Sequence, residues 1–512
     1  MKRYRTCALI ISLLSIQFFI SSFELHAQAF QGYTLYSPDN SKYSYIVDMN
    51  NKVYHSWSHT KSGGYSCYLL SDGSLLRSAL STNSQLGGGG EAGVVQRVAW
   101  NGTLLWEYQY SSSTYRSHHD IEPMPNGNVL LIAWEVKTAA QATQAGSSRS
   151  ASIWPDHIVE IQPSGTTGGN IVWQWHAWDH LIQSYSSAKD NYGVVADHPE
   201  LLNINMSGGG MSGDWMHLNS IKYNATLDQI VLSSHYLNEV YVIDHSTTTA
   251  QAASHAGGKY GKGGDILYRW GQPSNYGASG SQVFDVVHCA TWIGSGLPGE
   301  GHIMAFNNRE KQSTSMVVEL IPPSDGAGNY TLTKGTAYGP ASPTWSYTAS
   351  GFYANHLGSC QRLPNGNTLI AESTSGYLFE TDSTGKTVWS FTPGGEVART
   401  IRYAPTYSGL QLTSVSDDKT GSLPQSVIIL RNYPNPFNAE TVINFSVPRT
   451  GWVGLKVYNS LGQVIQVLYD DNATAGKDYS VRFNAGSLAS GVYFYTLQTA
   501  DKIVTKQMIA LK

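Results

Sequence analysis

The chain reads as an all-β protein, a six-bladed β-propeller followed by a small C-terminal β-sandwich. Three observations predict this. A strand ending in aromatic-x-aromatic recurs six times between residues 30 and 415. Hairpin turns rich in Asn, Asp and Gly precede the copies. Residues 431–512 then change character to short alternating apolar runs. The six copies are His55-Ser56-Trp57, Trp106-Glu107-Tyr108, Trp173-Gln174-Trp175, Tyr268-Arg269-Trp270, Trp345-Ser346-Tyr347 and Trp389-Ser390-Phe391. Positions i and i+2 of a strand share a face, so each copy sets two rings on one side. One hairpin type turns at Asn101-Gly102, Pro163-Ser164-Gly165 and Ser383-Thr384-Gly385. A second turns at Asp72-Gly73, Pro125-Asn126-Gly127-Asn128 and Pro364-Asn365-Gly366-Asn367. Two hairpins make four strands per copy, the unit of a radial repeat. The uneven spacing of the copies keeps a row of stacked sandwiches as the alternative.

The ends carry an address. Lys2, Arg3 and Arg5, an apolar run from Ala8 to Phe23, and Ala27-Gln28-Ala29 form the pattern of a cleaved secretory leader over residues 1–29. An uncleaved membrane anchor is the alternative, but the apolar run is short for a stable span. Beyond the leader, Cys67, Cys289 and Cys360 cannot all pair, so this is no disulfide scaffold, although one bridge is possible. A linker is expected over 416–430.

Composition excludes several classes. Charged residues are 13% of the chain, against roughly 25% in average soluble proteins, so this is not a solvated disordered chain. Lys plus Arg is 32 and Asp plus Glu is 36, a net charge of −4, with no basic excess to hold nucleic acid. The histidines fall at one place in the repeat. His118-His119, His217, His288 and His356 each come just ahead of a second-type hairpin. The first strand of a blade lies nearest a propeller axis, so these imidazoles are expected to converge on a central channel. Ordinary alternation aims only one of His118 and His119 inward. Adjacent histidines on opposite faces supply no chelating pair, so neither a metal nor another cofactor is expected at that site.

Two resemblances sharpen this reading. Tyr433-Pro434-Asn435-Pro436-Phe437-Asn438, Val457-Tyr458-Asn459 before Leu461-Gly462, and Leu488-Ala489-Ser490-Gly491-Val492-Tyr493 resemble the C-terminal sorting domain of the type IX secretion system. That implies export through the periplasm to the cell surface or medium, with the secretion machinery as partner. The central region carries His118-His119-Asp120-Ile121, Asp214-Trp215-Met216-His217-Leu218-Asn219-Ser220, Gly264-Asp265-Ile266-Leu267-Tyr268-Arg269-Trp270-Gly271 and Val287-His288-Cys289-Ala290. In that order they resemble the bacterial arylsulfate sulfotransferases, which move a sulfuryl group between phenols without a nucleotide donor.

The resemblance implies a sulfohistidine intermediate, with a phenolic sulfate ester as donor and a phenol as acceptor. His288 matches the nucleophile. His217 and Asn219 match the groups that handle the proton and the anionic oxygens, and His119 is preferred over His118 as a further site histidine. His235, His118 and His356 are expected to contact substrate. His235 stands where the family places an arginine. A histidine is cationic only if its pKa is raised. Sulfate recognition then falls to Arg309 or Arg362, or the substrate differs, or activity is lost. The alternative function is a non-catalytic surface propeller that binds glycan or peptide.

Overall fold

A computed structural model describes residues 28–411, apart from 84 and 207–212, and 429–511, apart from 434, 436, 448, 460–461, 476, 478 and 501–502. The expected leader and linker lie, all but their last two residues each, outside the described residues. The chain divides into two compact units, one ending at Pro405 and one beginning at Thr406.

The larger unit contains six four-stranded antiparallel sheets. From the inside outward, the second runs Gly63–Leu69, Leu75–Leu80, Gly93–Val98, Leu104–Gln109, and the third Tyr115–Pro123, Val129–Glu135, Asp156–Ser164, Gly168–His176. The fourth runs Leu218–Asn224, Gln229–Ser234, Glu239–Asp244, Tyr268–Trp270. The fifth runs Val287–Trp292, Ile303–Asn307, Met316–Leu320, Trp345–Tyr347, and the sixth Ser359–Arg362, Thr368–Glu372, Tyr377–Thr381, Thr387–Phe391. The first sheet is composite. Thr400–Tyr403, from the far end of the unit, pairs with Tyr33–Tyr36 and is followed by Tyr43–Val47 and Val53–Ser58. Leading strands of consecutive sheets pack side by side from the second sheet to the sixth, the sixth meets Thr400–Tyr403, and Tyr33–Tyr36 meets Gly63–Leu69. The ring is therefore closed by joining the two ends of the unit in one sheet.

The second strands are buried on both faces because each sheet is covered by its neighbours. Val129–Glu135 is buried except for its last residue. The aromatic-x-aromatic strands are outermost, and the tryptophans of the first four tie each of those sheets to the next. Trp57 Nε1 donates to Ala99 O at 3.0 Å, Trp106 to Gly168 O at 2.8 Å, Trp175 to Gly264 O at 2.7 Å and Trp270 to Pro340 O at 2.7 Å. A buried carbonyl left without its donor is costly. Trp106→Phe is expected to lower stability by about 1–3 kcal/mol, read by urea unfolding. The Pro-Asn-Gly-Asn turns are equally specific. Gly127 and Gly366 have φ of 86° and 88°, which a side chain tolerates poorly, and Asn128 and Asn367 donate to Glu160 and Glu380.

The smaller unit is a sandwich. A three-stranded sheet orders Ile429–Tyr433, Glu440–Ser446, Tyr479–Asn484. A five-stranded one orders Phe437–Asn438, Ile503–Leu511, Gly491–Thr499, Gly451–Tyr458, Val464–Ala473. Phe437, Ile443, Phe445, Leu455, Phe483, Leu497 and Met508 fill the space between. The Tyr-Pro-Asn-Pro-Phe-Asn motif has a structural job here. Asn435 accepts from Ile509 N at 2.9 Å and donates to Gln507 O at 3.2 Å, which zips the motif onto the last strand. Among the described residues no helix is long and apolar enough to cross a membrane.

Candidate active site

The candidate histidines sit where the leading strands break register. Pairing shifts between Ser117 and Ile121 in the third sheet, Leu218 and Ser220 in the fourth, and His288 and Thr291 in the fifth. At these bulges the backbone turns left-handed, with φ of 50° at His119, 54° at His217 and 54° at Cys289. A residue with a Cβ pays of order 1–3 kcal/mol for this, and such strain clusters at functional sites. The bulges also correct the expectation that alternation separates His118 from His119. Because His119 is left-handed, both rings turn the same way, and their Nδ1 atoms lie 2.9 Å apart.

The rings form one buried cluster. His118 Nε2 lies 2.8 Å from Asp156 Oδ1 and its ring stacks on Trp134 at 4.0 Å. The His119 and His217 centroids are 4.6 Å apart, His217 and His235 5.0 Å, and His235 and His288 5.5 Å. His217 Nδ1 makes a very short contact with Asp214 Oδ2. Burial drives the pKa of His118, His119 and His235 well below the usual imidazole value, with neighbouring imidazoles adding to it. His235 is thus neutral, and its buried Nδ1 has no hydrogen-bond partner.

His288 has a defined tautomer. Asn308 Nδ2 donates to Ala354 O at 2.8 Å and Leu357 O at 2.7 Å, which leaves Asn308 Oδ1 as an acceptor. That oxygen is 2.7 Å from His288 Nδ1, so Nδ1 carries the proton and Nε2 holds the lone pair. Burial lowers the His288 pKa to about 3. Nε2 meets only the Leu357 N–H, at 3.3 Å. A small cavity of about 20 Å³, room for roughly one water, is lined by Tyr65, His119, Asn219, His288, Cys289 and Arg399 among others.

The remaining expected residues are less central. Asn219 touches the cavity, but its amide is engaged, donating to Val287 O at 2.7 Å and accepting from Ser233 Oγ at 2.5 Å. Although two residues apart, His217 and Asn219 do not share a strand face, since the strand begins at Leu218 and His217 is left-handed. His356 lies in the loop before the sixth leading strand, half exposed, between Asn355 and Glu396. Arg362 is bound by Glu319 and Gly366 O over the Trp345 ring, so it does not serve the cluster.

Several residues escaped the sequence reading. Arg399, just before the strand that closes the ring, lines the cavity and pairs with Asp120 Oδ2 at 2.5 Å. Asp156, Asp214 and Asn308 each hold a histidine. Asp214 lies inside a motif already in view, three residues before His217, though no role is read for it there, and Asn308 comes directly after an apolar strand. The Gly87–Gly90 run packs on the cluster. A Cβ at Gly89 would lie 3.3 Å from His217 Cε1 and one at Gly90 1.9 Å from His119 Cε1. Cys67, Cys289 and Cys360 are free and buried.

Comparison with known proteins follows this geometry. Residues 31–403 match the family model for arylsulfotransferases. The chain belongs to the arylsulfotransferase family. Residues 431–511 of this arylsulfotransferase-family protein match the secretion-system C-terminal sorting domain, which indicates export by type IX secretion to the surface or medium. Similar solved structures are distant. A protein of unknown function from Bacteroides caccae is 12% identical over 73% of this chain and 98% of that one, with a TM-score of 0.40. Streptogramin B lyase is 10% identical over 87% and 88%, with a TM-score of 0.31, and the Dos1 propeller 9% over 89% and 93%, with 0.30. No curated protein matches the chain significantly.

Proposed function

We propose that the exported protein transfers a sulfuryl group from an aryl sulfate to a phenol through a sulfohistidine at His288. The observation that carries this is the His288 imidazole, neutral to about pH 3, protonated on Nδ1 by its bond to Asn308, on a ring that lines the cavity and whose Nε2 lone pair meets only the long Leu357 N–H contact. A neutral imidazole is the form that attacks. Nε2 bonds to sulfur, the sulfur–aryl oxygen bond breaks, and its electron pair leaves on the phenolate. As the ring becomes cationic, Asn308 Oδ1 accepts from the more acidic Nδ1–H. In the second half-reaction a phenol oxygen attacks sulfur and the N–S bond breaks.

A proton donor for the leaving oxygen is supported by the chain Asp156–His118–His119. Burial, and next the nearby Asp214, push the Asp156 carboxyl well up, so it keeps its proton. Leu218 N donates to Asp156 Oδ2 at 2.9 Å, which puts that proton on Oδ1, facing His118 Nε2. His118 then donates from Nδ1 to His119 Nδ1, and His119 presents Nε2–H. The same group takes the acceptor's proton in the return step. His118→Leu breaks the chain. It is expected to slow transfer from sulfates of weakly acidic phenols by about 10²-fold or more, and transfer from 4-nitrophenyl sulfate, whose phenolate leaves unaided, by much less.

The test is direct. Protein incubated with 4-nitrophenyl sulfate and phenol should release yellow 4-nitrophenolate with ping-pong kinetics. Protein with donor alone should gain the mass of one sulfuryl group. A protein that does neither with any phenolic acceptor is the second reading, a binding module, which the neutral His235 in an arginine's place favours.

A further inference from the structure

We propose a divalent-metal site suited to Zn²⁺, held by His180, His255 and Asp265 and separate from the histidine cluster. His180 ends a short turn, Ala177–His180, after the outermost strand of the third sheet. His255 follows the helix Thr249–Ala252, and Asp265 precedes Tyr268–Trp270, the outermost strand of the fourth sheet. All three thus meet at the outer edge of two adjacent sheets, whereas the cluster lies on the leading strands.

The donor atoms converge. His180 Nδ1 is 2.8 Å and His255 Nδ1 2.7 Å from the same oxygen, Asp265 Oδ1. The three ligand atoms lie within 4.8 Å of one another. Proton accounting then points to a cation among them. His180 Nε2 is 2.8 Å from Ala252 O, a carbonyl that can only accept, so Nε2 carries a proton. A neutral imidazole has one N–H, which leaves the Nδ1 lone pair facing a carboxylate oxygen. His255 brings a second Nδ1 to that oxygen. One metal ion satisfies all three donors at once, where protons alone need one extra proton shared between His180 Nδ1 and Asp265 Oδ1.

The surroundings have the form of a supported ligand set. Fixing one imidazole nitrogen on a backbone carbonyl is how proteins orient a metal-binding histidine. His180 is fully buried and stacks parallel to Trp175 at 5.7 Å. Trp175 Nε1 holds Gly264 O, the residue before Asp265. A Cβ at Gly264 would lie 2.6 Å from His180 Nε2, so the loop closes on the ring only as glycine. His255, with its side chain 61% exposed, leaves an entry path and an open side for a water ligand. Two imidazoles and a carboxylate suit zinc and not the oxygen-seeking Ca²⁺ or Mg²⁺. Bound metal would clasp the 252–265 loop to the third sheet.

The experiment titrates chelator-stripped full-length protein with ZnSO₄ calorimetrically. One equivalent should bind, with enthalpy that varies with buffer because a proton is released. His255→Ala, an exposed position that leaves folding intact, should weaken binding by about 100-fold or more, beyond the 10–100-fold typical of losing a supporting group, and Asp265→Asn should weaken it as well. Co²⁺ in place of zinc should give the visible bands of a four-coordinate ion, absent in His255→Ala. No stoichiometric uptake overturns the proposal. So does equal uptake by wild type and His255→Ala, which would assign the metal to the central imidazoles.

Discussion

His288→Ala is expected to abolish sulfuryl transfer, with turnover of 4-nitrophenyl sulfate falling by about 10⁴-fold or more, and to abolish the mass gain seen with donor alone. No other imidazole substitutes. His235 neighbours His288 and His217 neighbours His235, but only His288 has Asn308 to fix its tautomer and to accept from the cationic ring. Asn308→Ala should therefore retain part of the activity and lose it mainly in kcat. An unchanged rate in His288→Ala would remove the covalent mechanism. The pH dependence follows from the same burial. His288, His157 and His59 have pKa values of about 3 in the fold, against about 6.5 in the unfolded chain. Between those values the unfolded state binds more protons, so stability is present above about pH 6.5 and declines as pH falls toward 3. Activity should thus show no acid limb from His288 itself, and its loss in acid should coincide with unfolding. His245 runs the other way. Burial opposes its charge, but the hydrogen bonds it donates to Asp228 and Glu160 prevail and raise it to about 9, a contribution lost as pH rises through that value.

Arg399→Leu is expected to destabilise the larger unit by about 3–5 kcal/mol, the usual result of stranding one member of a buried ion pair. Asp120 is 2% exposed and receives Arg399 at 2.5 Å, Tyr68 Oη at 2.9 Å and Ile221 N at 3.2 Å. It thereby joins the composite first sheet to the second, third and fourth beneath the cavity. Removing the guanidinium leaves a carboxylate there without its counter-charge. The double variant Asp120→Asn, Arg399→Leu should recover much of the loss, because removing both charges also removes their desolvation cost. Urea unfolding of the wild type, Arg399→Leu, Asp120→Asn and the double variant measures the coupling. A loss of less than about 1 kcal/mol in the single variant, the range of exposed pairs, would mean that the pair is not buried in solution.

Much of this architecture was legible because it repeats. Six aromatic-x-aromatic endings became six outermost strands, and the turns at Asn126-Gly127 and Asn365-Gly366 close hairpins as expected. The sorting strands Glu440–Ser446 and Gly491–Thr499 were equally plain, since both alternate over one buried face. The site was only partly legible. His118, His119, His217, His235 and His288 do come together, but the left-handed turns at His119 and His217 carry no pattern in the sequence. Alternation therefore misjudged the direction of His118 and His119.

Local chemistry, the order of strands and turns and the placing of imidazoles at sheet starts, was determined by the sequence alone, because each depends on neighbours within a few residues. What only the tertiary structure decided is which distant groups face those imidazoles. Arg399 reaches Asp120 because the ring closes by pairing Thr400–Tyr403 with Tyr33–Tyr36. Asp265 meets His180 because two outer edges abut. Contacts of that kind are set by how sheets pack around an axis, and no short-range periodicity encodes it.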